Sequence, residues 1–248
     1  MKIKSLINKR IINCSASVIL LSGISISGVN ASQVDFNIAA PTSGSISYAG
    51  GASALTGSNI DVDNIIGLGT PSHDNVISAC DACTLNFSTG VLDNFDATTS
   101  TWTFLGGGSI EVVGGIDFAD NGSISDIPVA TSLLLGSFTM AKVVELSTGE
   151  FQFNIFGGSF SGTQNSDLGS YYGLPGSVEY LGGLNISFSA LLNNSGGFNS
   201  TQLFSGDIVT APVPLPAGIW LLISALAVFP FFRRKQVAPS GSQLAFSA

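Results

Sequence analysis

Basic residues are almost missing from the body of this 248-residue sequence. Of its eight lysines and arginines, Lys2, Lys4, Lys9 and Arg10 stand in front and Arg233, Arg234 and Lys235 behind. Lys142 alone lies between. All sixteen acids, from Asp35 to Asp207, fall in that middle stretch, which therefore carries a net charge of −15. Phosphate binding needs clustered cations, so the scarcity excludes nucleic acid as a partner and disfavours anionic surfaces. Histidine is equally scarce. His73 is the only one, and Ser72-His73-Asp74 sets triad residue types side by side rather than on separate segments. No Gly-x-Ser-x-Gly elbow occurs, and carboxylate pairs for a glycosidase arise only because aspartate is common. A hydrolase is thus the weakest functional reading, and we expect no catalytic residues. Long disorder is also excluded, because 45% apolar residues are enough to fill a core.

Helical periodicity with caps is lacking as well. What is present from Ser32 to about Pro212 is short alternating or β-branched runs, separated by Gly, Asn and Ser. Expected strands are Val34–Ile38, Ser45–Tyr48, Ile60–Leu68, Thr84–Phe87, Thr101–Leu105, Ser109–Val113, Ser132–Thr139, Lys142–Leu146, Phe151–Phe156, Leu184–Leu191 and Thr201–Val209. Gly106-Gly107-Gly108 reads as a hairpin loop, and Ser161 to Gly183 as a long ordered loop. The fold class this predicts is all-β, an antiparallel β-sandwich of roughly ten strands. A β-solenoid is the runner-up on the similar phrases Leu85-Asn86-Phe87-Ser88, Gly158-Ser159-Phe160-Ser161 and Leu184-Asn185-Ile186-Ser187, but their spacing has no fixed period.

The two ends read differently. Met1 to Arg10 is a basic n-region, followed by an apolar stretch to Val29 and the small-residue site Val29-Asn30-Ala31. That pattern predicts a signal helix over residues 1–31, removed by signal peptidase. Cys14 lies too early for a lipobox. At the other end Val213-Pro214-Leu215-Pro216-Ala217 leads into an uncharged apolar run to Phe232, then Arg233-Arg234-Lys235. Prolines stiffen the spacer, the run is about 16 residues, near the short limit for a bilayer, and the basic triplet serves as stop-transfer. The expected division is a signal at 1–31, an extracellular domain at 32–210, a sorting and transmembrane segment at 211–235 and a short cytoplasmic tail at 236–248.

Motif, apolar helix and basic cluster in that order resemble the VPLPA variant of the PEP-CTERM sorting signal. The resemblance covers residues 213–235 and departs from the usual pattern in the tail from Gln236 to Ala248. It implies processing by an exosortase-type membrane enzyme in a bacterium that makes exopolysaccharide. An ordinary single-pass anchor is the alternative. The resemblance thus points to a non-enzymatic exported surface or matrix protein, associated with exopolysaccharide or biofilm.

Three groups of residues remain as candidate sites. Without Cys14, Cys80 and Cys83 form an even pair for an oxidising compartment, read as a turn-stiffening disulfide. Redox chemistry and zinc with His73 and Asp74 are the alternatives. Tyr171, Tyr172 and Trp102 could present stacking faces to a glycan, in which case the domain is a carbohydrate-binding module; otherwise the tyrosines pack as a lid on the sheet edge. Asp61 and Asp63, and Asp117 and Asp120, place oxygen ligands in or near loops that a calcium ion would accept. No other cofactor is expected.

Overall fold

A computed structural model of the chain describes residues 31–118, 125–146, 152–175 and 178–213. The chain divides into two units, Met1–Ala31 and Ser32–Ala248, and the description below concerns the second. The predicted signal segment, Pro214 to Ala217, the apolar run, Arg233, Arg234, Lys235 and Asp120 lie outside the described residues.

The unit is all-β and antiparallel, with ten strands in one sheet. They are β1 (Gln33–Ile38), β2 (Ser45–Tyr48), β3 (Ala54–Asp61), β4 (Asn64–Leu68), β5 (Ile77–Asp96), β6 (Thr101–Asp117), β7 (Ile127–Glu145), β8 (Gln152–Gln164), β9 (Tyr180–Leu192) and β10 (Phe198–Pro212). One short helix, α1 (Ser166–Tyr171), interrupts the series.

The pairings resolve into a simple meander. β1 and β2 both run antiparallel to β10, on its C-terminal and N-terminal parts respectively, so together they occupy one lane. β3 and β4 share the next lane in the same way, both antiparallel to β5. From β5 to β10 each strand pairs with the next. The last lane returns to the first through β1–β10 and β2–β10, and the circuit closes. The strand count agrees with expectation, but the hydrogen bonding belongs to one closed sheet of eight lanes rather than two stacked sheets. Closure leaves each named strand paired on both sides, which removes the exposed edges that invite aggregation.

Eight lanes enclose an interior that side chains alone can fill. Val34, Phe36 and Ile38 of β1, and Leu85, Phe87 and Thr89 of β5, point into it and are buried. Their neighbours Gln33, Asp35 and Asn37, and Thr84, Asn86 and Ser88, point outward. This apolar-in, polar-out alternation is the reverse of a barrel whose wall faces lipid. Rings meet across the interior from lanes that are not neighbours. Tyr48 on β2 packs edge-on against Phe104 on β6 at 5.2 Å, and Trp102 on β6 against Phe198 on β10 at 5.9 Å. Opposite walls therefore pack face to face, as in a sandwich.

Two expectations are corrected. The glycine run at 106–108 does not turn the chain, because β6 passes through it from Thr101 to Asp117. The register instead shifts there, between Gly107 and Ile110 opposite Phe138 and Gly136. Gly108 has φ +66°, and a Cβ on it would stand 2.0 Å from the Ser88 carbonyl oxygen, so only glycine fits this bulge. The stretch from Ser161 to Gly183 is likewise not one loop: β8 continues to Gln164, α1 follows, and β9 starts at Tyr180.

Candidate functional site

The first three lanes all break at one level. Between β1 and β2 no named strand runs from Ala39 to Gly44, a stretch with a cis Ala40–Pro41 bond in which only Thr42 bridges to β10, at Leu203. Between β3 and β4 it breaks at Val62 and Asp63, and β5 bulges between Asp81 and Thr84. The Cys80–Cys83 disulfide, with Cα atoms 5.5 Å apart, spans that bulge. Its backbone brackets the neighbouring break, since the Val62 N–H donates to the Cys83 carbonyl and the Cys80 N–H to the Asp63 carbonyl. Gly114 on β6 makes room for it, because a Cβ there would lie 2.4 Å from the Cys83 Sγ. So small a ring contributes only roughly 2 kcal/mol by loop entropy. Its local effect is to fix the point where β5 changes partner from β4 to β3. The pair lies in a strand, with Cys83 buried against the Gly115 carbonyl, and not at a helix N-terminus where a thiolate is activated.

Asp61 and Asp63 sit at this same seam. One oxygen of Asp63 accepts the Ala39 N–H at 2.7 Å, and one oxygen of Asp61 accepts the Ser43 hydroxyl at 2.6 Å. These carboxylates tie the β1–β2 connection to the β3–β4 break. Asp117 ends β6, far along the chain from them, and its sequence partner Asp120 is not described. Among the described residues no three metal-ligating His, Cys, Asp or Glu side chains come together.

Tyr171 and Tyr172 are found at one end of the barrel, closed by α1, whereas Trp102 lies near the start of β6, toward the other end. Asn165 caps the helix, its side chain accepting from the Asp167 and Leu168 N–H groups. The helix lays Leu168 and then Tyr172 and Leu174 over the end of the core, where all three are buried. The Tyr172 hydroxyl donates toward the Ile65 carbonyl at 3.2 Å and the Val76 carbonyl at 3.4 Å, and lies 3.3 Å from the Ser78 hydroxyl. Burial raises its pKa above the ordinary 10.0. Gly67 is matched to this ring, since a Cβ there would come within 2.4 Å of it.

Tyr171 points the other way and is held between two rings. His73 stacks on it at 3.9 Å and Phe118 at 3.8 Å, both within about 11° of parallel. Two rings so close and so parallel cannot share one face, so Tyr171 is covered on both. The His73 Nδ1 also lies 2.7 Å from the Tyr171 carbonyl oxygen. His73 is therefore a clamp on the cap, and its neighbour Asp74 closes the β4–β5 loop by accepting the Gly69 N–H.

No stacking platform is left for a sugar ring in this set. Tyr171 is sandwiched, Tyr172 is completely buried, and Trp102 is 3% exposed within the barrel interior. The tyrosines follow the lid alternative instead. Phe118 escaped the sequence reading, because a contact 53 positions from its partner leaves no local signal.

A second feature without a local signal is Asp35. It points outward from β1 at positions that alternation assigns to the surface, yet one of its oxygens is buried without a hydrogen-bond partner. Burial, and then the nearby Asp207 carboxylate on β10, raise its pKa from 3.8 to about 6.

Both chain ends of the barrel lie at the cap. Val34 pairs with Thr210, Pro212 pairs with Tyr180, and the Ser32 hydroxyl donates to the Gly69 carbonyl. Just past β10 the Val213 N–H donates to the Glu179 carbonyl at 3.0 Å, so the chain is still bonded at Val213, the last described residue. Among the described residues no helix is long and apolar enough to cross a membrane. Comparisons with protein-family models, curated proteins and solved structures found no match to this chain.

Proposed function

We propose that this chain is a non-enzymatic exported surface or matrix protein, handled at the membrane by an exosortase-type enzyme. In this reading residues 1–31 form a signal helix removed by signal peptidase. Residues 211–235 hold the sorting motif and a transmembrane helix, and residues 236–248 stay cytoplasmic. The order of motif, apolar run and basic triplet in the sequence carries the proposal. The position of that motif supports it, because β10 carries the chain to Val213, the first motif residue, at the end of the barrel where β1 also begins. A closed, acidic, disulfide-pinned barrel also suits an extracellular matrix, where a chain without sheet edges resists association. Association with exopolysaccharide follows from the tag resemblance and is part of the proposal.

Intact mass and terminal peptide mapping of the protein from its native host test this reading. The expected product starts at Ser32 and ends between Val213 and Ala217. A chain still ending at Ala248 in the membrane fraction would make the tail an ordinary single-pass anchor and remove the support for exosortase and exopolysaccharide.

A further inference from the structure

We infer that the capped end of the barrel, carrying α1 and the His73–Tyr171–Phe118 stack, rests on the headgroup layer of a zwitterionic bilayer while the chain is anchored. The inference rests on the membrane-anchor part of the proposed function and adds the orientation of the domain.

Val213 is held by its bond to Glu179, and the uncharged apolar run begins at Ala217. Three residues lie between, and even in an extended polyproline geometry they carry the chain only about 12 Å from Val213 to Ala217. A bilayer's headgroup layer is itself roughly 5–8 Å thick on each side. With the apolar run in the hydrocarbon, the sheet end stands at most a few ångströms clear of the headgroups. The α1 segment lies across that end, because Tyr172 packs on the ends of β4 and β5 and Glu179 bonds Val213.

The entry of the chain agrees. Ser32 and Val34 start β1 at the same end, so a chain tethered through both flanks needs no segment running the height of the barrel. Apolar exposure does not single this end out. Ile77 and Leu181 are exposed here, but so are Leu191 and Leu192 at the far end. Charge does decide the lipid. Asp74, Asp126 and Glu179 lie in the loops of the capped end and Asp167 in α1, while the single base of the domain, Lys142, lies elsewhere on β7. Anionic headgroups are repelled, whereas an uncharged layer accepts stacked aromatic rings at its polar boundary.

The test uses the signal-cleaved chain, residues 32–248, reconstituted into phosphatidylcholine vesicles that carry a minor fraction of headgroup spin-labelled lipid. A fluorophore is placed on a single new thiol at Ser170→Cys in α1, at Asn194→Cys at the far end, or at Ser224→Cys in the apolar run, the last read with acyl-chain quenchers. Quenching is expected at position 170 and not at 194, with 224 quenched in the acyl layer. Inserting about ten Gly and Ser residues after Val213, a linker spanning roughly 17 Å, should relieve quenching at 170 and leave 224 unchanged. Emission at 170 that is unquenched while 224 is quenched overturns the orientation alone. Failure of quenching at 224 overturns the anchor, and the orientation with it.

Discussion

The two ends of this barrel are built by opposite means. At the far end two turns are held mainly by their own side chains. Asn193 accepts the N–H groups of Ser195 and Gly197, and Asp96 accepts the Thr98 N–H and the Thr99 hydroxyl. A long-range bond, from the Ser195 hydroxyl to the Ala49 carbonyl, joins the Asn193 turn to the β2–β3 connection. At the capped end the connections depend on partners far away in sequence. Tyr172 reaches Ile65, Val76 and Ser78, and His73 and Phe118 enclose Tyr171. The Asn193 and Asp96 turns thus rest mainly on local bonds, while the capped end is one cooperative unit at which β1 starts and β10 finishes.

Substitutions should separate the two ends by the size of their effects. The largest is expected for Tyr172→Ala. Removing a fully buried ring and its hydroxyl from the cap should cost about 3–5 kcal/mol, measured by urea unfolding. A loss below about 1 kcal/mol would show that the cap is dispensable and break the comparison.

Next comes Asp35, on the first lane close to the capped end. Its native carboxyl holds a proton up to pH about 6, while in the unfolded chain it releases it near its ordinary 3.8. Between those values the native state binds more protons, so stability falls as pH rises through that window. Asp35→Asn removes the buried charge and should stabilise the barrel at pH 7.5. The gain should be on the order of 1 kcal/mol once partial exposure is allowed for, and should vanish near pH 4. Thermal melts of both proteins at the two pH values check this; an equal difference at both would exclude Asp35 titration as the cause.

The smallest effect is expected at the far end. Asn193→Ala removes the acceptor of the Ser195 and Gly197 N–H groups in one turn, at a cost of roughly 0.5–1 kcal/mol. A loss as large as that of Tyr172→Ala would mean that this turn, too, is coupled to the core.

Legibility in the sequence follows the same division. Alternation placed β1 and β2 to within a residue, because one buried and one solvated face impose a period of two. It failed where a strand keeps pairing through glycine. β6 and β7 were each read as two strands, since Gly106 to Gly108, and Met140 and Ala141, interrupt the pattern without ending the ladder. The opposite error occurred at Ile60–Leu68, read as one strand, where Val62 and Asp63 leave the ladder to bond Cys83 and Asn37. The Cys80–Cys83 bridge was legible from its spacing. Its place at the seam of three broken lanes was not, because each lane's break is defined by the others.

By itself the sequence determined the all-β class of fold, the alternating character of its strands and the disulfide. Each of these depends on residues a few positions apart. Only the tertiary structure decided that the sheet closes into eight lanes, because closure depends on β10 meeting β1 and β2 across the length of the domain. It also decided that Tyr171 is sandwiched and that Asp35 loses its water, since both follow from neighbours that folding brings in from other strands.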